Sequence, residues 1–131
     1  MKLIDSLTES KFRKELLASS LAWRREARIT QLLETHIVQV ATILSLGWTP
    51  DQLEDCHTIL VNGQHVVCLE VPKGSGAPFV ASVESTAVYA RRLKGAIARI
   101  QLAVALELSR ELSRAPEGSS GAITVPAIDD F

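Results

Sequence analysis

Four residues near the middle of the chain carry side chains able to do chemistry: Cys56, His57, His65 and Cys68. A thiol beside an imidazole is an activated nucleophile, because the base stabilises the thiolate. The same residue types also ligate metals. The Asn62-Gly63 pair between them bears on both readings. Asn-Gly takes the two positive-φ positions of a type I′ turn, so His57–Val61 and Gln64–Val71 are expected to form a β-hairpin with Val61 opposite Gln64. That register sets His57 opposite Cys68, on a face shared with Ile59, Val61 and Val66. Leu60, Val67, Leu69 and Cys56 take the other face. Cys56 and His65 then lie about four ladder positions apart, too far for one coordination sphere. No orienting third group or oxyanion motif accompanies His57 and Cys68, and a free cysteine is ordinarily a core residue. Lys73-Gly74-Ser75-Gly76 lacks the spacing of a phosphate loop and reads as a turn. No catalytic residue, metal site or cofactor is therefore assigned.

The second chemical candidate is basic. On one long helix, Arg92, Arg99 and Arg110 fall within about 20° of one another, with Arg114 nearby. They span about 27 Å, enough to follow several phosphates or an acidic partner. Lys11, Arg13, Lys14, Arg24, Arg25 and Arg28 add charge near the N-terminus. A solvated helix face is the ordinary reading of such a stripe. The chain has 2 Trp, 1 Tyr and 3 Phe, too few for a platform that stacks single-stranded bases. The net charge of −1 gives no global field toward nucleic acid or membrane. The charge is nevertheless segregated. Asp51, Glu54, Asp55, Glu70 and Glu84 face only Lys73 over residues 47–86, whereas residues 87–114 are predominantly basic.

These side chains must be positioned by a single small domain, since the chain has 131 residues. An apolar fraction of 47% and a charged fraction of 22% exclude a mainly disordered chain. The 2 cysteines are too few for a disulfide scaffold, so a reducing cytoplasmic location is the expectation. The longest nearly apolar run, Ile37–Trp48, is too short to span a bilayer, and the N-terminal residues lack a signal-peptide block.

Residues 7–46 contain no Gly or Pro, and Ser6 and Glu9 have capping-box spacing. Apolar residues recur at helical intervals from Phe12 to Leu44 but lose phase between Ala22 and Arg28. One straight helix would be about 60 Å long. Two helices, or one bent helix, are expected, with Gly47 as the stop and a short helical turn at Thr49-Pro50-Asp51-Gln52. After the hairpin, Phe79–Val83 is a candidate third strand. Ser82 or Ser85 then caps a long helix over residues 85–114, with the stripe Leu93, Ile97, Ile100, Val104 and Leu108. The fold class is thus α+β: N-terminal helices, a two- to three-stranded antiparallel meander, a long C-terminal helix and a tail. Residues 1–115 form the domain, and residues 116–131, opening with Glu-Gly-Ser-Ser-Gly after Pro116, form a flexible tail.

Both faces of the hairpin are apolar and both need cover. Val88, Leu102 and Leu106 lie on the far side of the long helix from its main stripe. The apolar surface therefore exceeds what one copy shelters, and a homodimer is expected, with these three residues as a candidate dimer surface. The tail ends Ile128-Asp129-Asp130-Phe131. Over these four residues it resembles the acidic tips of bacterial single-stranded-DNA-binding proteins, which implies docking of a partner through the terminal Phe131 and its carboxylate. The ordinary reading of such an end is a frayed segment. The functional expectation is a non-enzymatic protein-binding module, an inhibitor or accessory factor acting as a homodimer. The alternatives are a nucleic-acid-binding accessory protein that uses the arginine stripe, and a small enzyme with a pocket that sequence alone does not reveal.

Overall fold

A computed structural model describes residues 2–50, 52–74 and 76–119, with side chains described over 7–50, 52–74 and 76–113. The element order is α1 (Lys2–Arg24), α2 (Ala27–Leu33), β1 (Ile43–Pro50), β2 (Glu54–Val61), β3 (His65–Pro72), β4 (Phe79–Ser85), α3 (Thr86–Arg92) and α4 (Ala96–Ser119). The four strands form one antiparallel meander in the order β1-β2-β3-β4. The fold is α+β, and the N-terminal segment is two helices. The break falls at Arg25-Glu26, where the apolar stripe loses phase.

The sheet has one more strand than the sequence suggests. Residues 43–50, read as the end of a helix and its stop, are strand β1. Ile43 belongs to the core on one sheet face, and Leu44 and Leu46 to the core on the other. A strand buried on both sides has no alternation, and such a short apolar run looks the same as a helical stripe. Gly47 is not a helix stop but borders a register shift in β1. The expected helical turn at Thr49-Pro50 is instead the end of that strand, paired with Cys56 and Asp55.

The hairpin forms, but its register is one residue from the expected one. Asn62 and Gly63 have φ of 59° and 69°, as a type I′ turn requires, and the Gln64 amide donates to the Val61 carbonyl at 3.1 Å. Val61 nevertheless pairs with His65, not Gln64. Gln64 is extruded, and its carbonyl accepts from the Thr86 amide at 3.0 Å. A one-residue slip sends every β3 side chain to the other face. Leu60 and Val66 therefore share one face, and Ile59, Val61, Val67 and Leu69 share the other.

Both faces are covered from within the chain. Leu16 of α1 and Leu102, Val104, Ala105 and Leu108 of α4 pack on Leu44, Leu60 and Val66. Arg13 bridges the two helices by pairing with Glu111 and Glu107. Ile29 and Leu33 of α2, with Ile37, pack on the opposite face against Ile59, Val61, Val67 and Leu69. The cover for the second face, which had argued for a second copy, is thus supplied by α2.

The expected long C-terminal helix is broken. Ser85 caps α3, its hydroxyl accepting from the Val88 amide at 3.2 Å, but Leu93-Lys94-Gly95 interrupts the run before α4. Gly95 has φ of 90°, which only glycine adopts without strain. The break re-phases the apolar stripe. Ile97, expected inside, is 59% exposed, while Leu102, expected at a dimer surface, is 6% exposed and in the core. Leu106 is half-buried against that core, and Val88 stays exposed. Ile128, Asp129, Asp130 and Phe131 lie outside the described residues.

Candidate functional site

The register separates the chemically capable residues into two places. His57 pairs with Leu69, not Cys68, and lies on the α2 face. Trp23 of α1 meets its ring edge-on with centroids 5.4 Å apart, and Trp48 of β1 stacks on it at 6.5 Å. Trp23 and His57 line a hollow of about 330 Å³ together with Glu26, Arg28, Ile29, Val71 and Pro78. Burial lowers the His57 pKa from its usual value, opposed by the Asp55 carboxylate, and so favours the neutral imidazole. A neutral imidazole between indoles suits packing of a flat apolar group. Among the described residues nothing orients it as a base. Trp48 stacks on His57 from β1 but lies outside the hollow, whose lining comes from α1, α2, β2, β3 and Pro78, residues that no spacing along the chain brings together.

Cys68 lies on the opposite face from His57. It pairs with Thr58, while Cys56 pairs with Glu70, so the two cysteines are diagonal neighbours on adjacent strands. Their sulfurs are 2.7 Å apart and both thiols are free and half-buried. Burial, together with the contact to Cys56, pushes the Cys68 thiol up to about 12. The Cys–His nucleophile is thereby excluded by geometry, and a four-residue metal set is also dispersed. Among the described residues no group of three or more His, Cys, Asp and Glu is placed to hold a metal ion.

The arginines do not form one stripe. Arg92 sits on α3, and its guanidinium binds Glu84 of β4 through both nitrogens. That pairing holds the Glu84 carboxyl below the usual range. Arg92 also lies over the Tyr89 ring, 5.9 Å from its centroid. Arg99, on α4, reaches back toward the Leu93 carbonyl at 3.4 Å. Arg110 is exposed beside the Asn62–Gln64 turn, and the side chain of Arg114 lies outside the described residues. The break at Gly95 is what separates Arg92 from the other two.

The two edges of the sheet differ. Along β1, α1 supplies partners: the Ser45 amide donates to the Ser19 hydroxyl at 3.0 Å, and the Trp23 indole N–H donates to the Ser45 hydroxyl at 2.9 Å. Along β4 no described element pairs with the outer edge, and the strand exposes Phe79 at 46% and Val83 at 40%. Its one ionisable residue, Glu84, is neutralised by Arg92. A register shift opposite Cys68 and Leu69 leaves Ala81 as an extra residue in the strand. Phe79 lies on the face of Cys56 and Val83 on the face of Ile59.

Among the described residues no helix is long and apolar enough to cross a membrane. Comparison with protein-family models, with curated proteins and with solved structures finds no match.

Proposed function

We propose that the chain is a small, cytoplasmic, non-enzymatic protein-binding module, an inhibitor or accessory factor, that works as a homodimer joined through β4. The observation that carries this reading is the contrast between the sheet edges: α1 bonds to Ser45 and buries the first half of β1, leaving only Gly47–Pro50 exposed, whereas among the described residues no element pairs with any part of the outer side of β4. An uncovered edge strand offers a row of backbone donors and acceptors to another strand. Of the devices that blunt natural edges, Phe79–Ser85 has the bulge at Ala81 but neither lysine nor an internal proline. A two-fold antiparallel pairing of β4 with its copy is self-complementary. It places Phe79 of both copies on one face and Val83 of both on the other. The expected surface at Val88, Leu102 and Leu106 gives way to this edge, because Leu102 is used in the core.

The nucleic-acid reading draws less support, since Arg92 is committed to Glu84 and stands on a different helix from Arg99 and Arg110. The hollow at His57 favours a second reading, a small-ligand pocket, because Trp23, Ile29 and Val71 give it an apolar wall beside the charged Glu26 and Arg28.

Sedimentation velocity tests the first reading. The unaltered chain is expected at twice its 14.2 kDa mass. Val83→Lys places a charge on the exposed edge and is expected to weaken association about tenfold or more, with the far-UV spectrum unchanged. A chain that sediments as single copies at high concentration, or a Val83→Lys variant that associates as well as the parent, would overturn it.

A further inference from the structure

The Cys56–Cys68 pair has a use that the protein-binding reading does not absorb. The helices cover only part of the sheet face that carries it. The row Leu44–Leu60–Val66 lies under α1 and α4. The next row, Gly47–Thr58–Cys68–Ser82, is composed of small and polar residues with exposed ends. The row beyond it, Thr49–Cys56–Glu70–Phe79, likewise ends in exposed residues. The two sulfurs thus touch on the sparsely covered part of that face, where a small solute reaches them. The antiparallel ladder holds them together through its backbone pairing.

We propose that Cys56 and Cys68 are an oxidisable dithiol that a hydroperoxide converts to a cross-strand disulfide. The Cys56 thiolate attacks the peroxide oxygen and the O–O bond breaks. Cys56 becomes a sulfenic acid, and the released alkoxide or hydroxide takes a proton to leave as alcohol or water. The Cys68 sulfur then attacks the Cys56 sulfur, the S–O bond breaks, and the oxygen leaves as water with the Cys68 proton. Two thiols and one hydroperoxide give one disulfide, one alcohol (water from hydrogen peroxide) and one water, a two-electron oxidation of sulfur matched by reduction of the O–O bond. The order of roles follows from the site. Cys68 is the thiol that burial and the Cys56 contact keep protonated, and its sulfur, 2.7 Å from that of Cys56, is placed to resolve the sulfenic acid.

The test uses the folded full-length chain and hydrogen peroxide as the probe, followed by alkylation and intact-mass measurement. The unaltered chain is expected to lose both alkylatable thiols together and about 2 Da, and to recover both on treatment with a dithiol reductant. Cys68→Ser is expected to stop at a Cys56 sulfenic acid that a 1,3-dicarbonyl reagent traps. Cys56→Ser is expected to react about tenfold slower or less readily still. Two thiols that remain alkylatable after peroxide, or that are lost independently with no disulfide, would overturn the proposal. The measurement on the unaltered chain decides this without either variant, and it does not depend on the oligomeric state.

Discussion

Leu33→Ala is expected to lower the unfolding free energy by about 3–4 kcal/mol, as large-to-small changes in well-packed cores do. Leu33 is 0% exposed and lies among Ile29, Ile37, Ile43, Ile59, Val61, Val67 and Leu69. Its helix is only seven residues long, and Glu26 at its N-cap makes no side-chain capping bond. So short a helix has almost no stability of its own and stands through what it packs against. Removing Leu33 therefore leaves a cavity and loosens the helix that supplies the buried helical residues on that face of the sheet. Urea unfolding followed by the fluorescence of Trp23 and Trp48 measures the effect. Gln31→Ala, on the exposed side of the same helix, is the control and should change stability by less than about 0.5 kcal/mol. A Leu33→Ala loss below about 1 kcal/mol would mean that α2 does not cover the sheet in solution.

Asn62→Ala is the second large effect, expected at about 3 kcal/mol. Asn62 has two functions in the fold. Its backbone sits at φ 59°, where a β-carbon is disfavoured but Asn is tolerated. Its side chain also fastens the segment that leads into β1. The Oδ1 accepts from the Ala41 amide at 2.7 Å and the Thr42 amide at 3.2 Å, and the Nδ2 donates to the Gln39 carbonyl. Asn62→Gly separates the two contributions. It keeps the turn and loses the side-chain bonds, so it should cost about 2 kcal/mol. Denaturant midpoints of the two variants measure both, and an Asn62→Gly variant as stable as the parent would show that the side chain does not hold β1 in place.

The same residue shows how much of the fold was legible. The Asn62-Gly63 pair announced a hairpin and its positive-φ turn, and both are present. The register was not legible, because the turn settles only its own four residues. The strand beyond it answers to burial, and extruding Gln64 lets Val66 join Leu60 while Val67 joins Ile59. That slip also decided the chemistry, since it parted His57 from Cys68 and brought Cys68 to Cys56. The break between α1 and α2 was readable from lost phase. Strand β1 was not, because Ile43 to Leu46 are buried on both faces and carry no period. Gly95 was a readable break that an apparently continuous stripe from Leu93 to Leu108 concealed. An unbroken helix through Gly95 would set Leu102 on a free surface and Arg92 in line with Arg99; the break puts Leu102 in the core and Arg92 on a separate helix. The hollow around His57 joins residues from α1, α2, β2 and β3, and no spacing along the chain expresses it.

The most direct test of the whole account is amide hydrogen exchange across a dilution series. The amides of β2 and β3 are expected to stay equally protected at every concentration, because each strand is paired on both sides within the same chain. The outward amides of Phe79–Ser85 are expected to be protected at high concentration and to lose that protection on dilution, as two copies part at the edge. Protection in β2 and β3 that falls on dilution would contradict a self-sufficient sheet, and β4 amides that exchange at one rate throughout would contradict the joined edge.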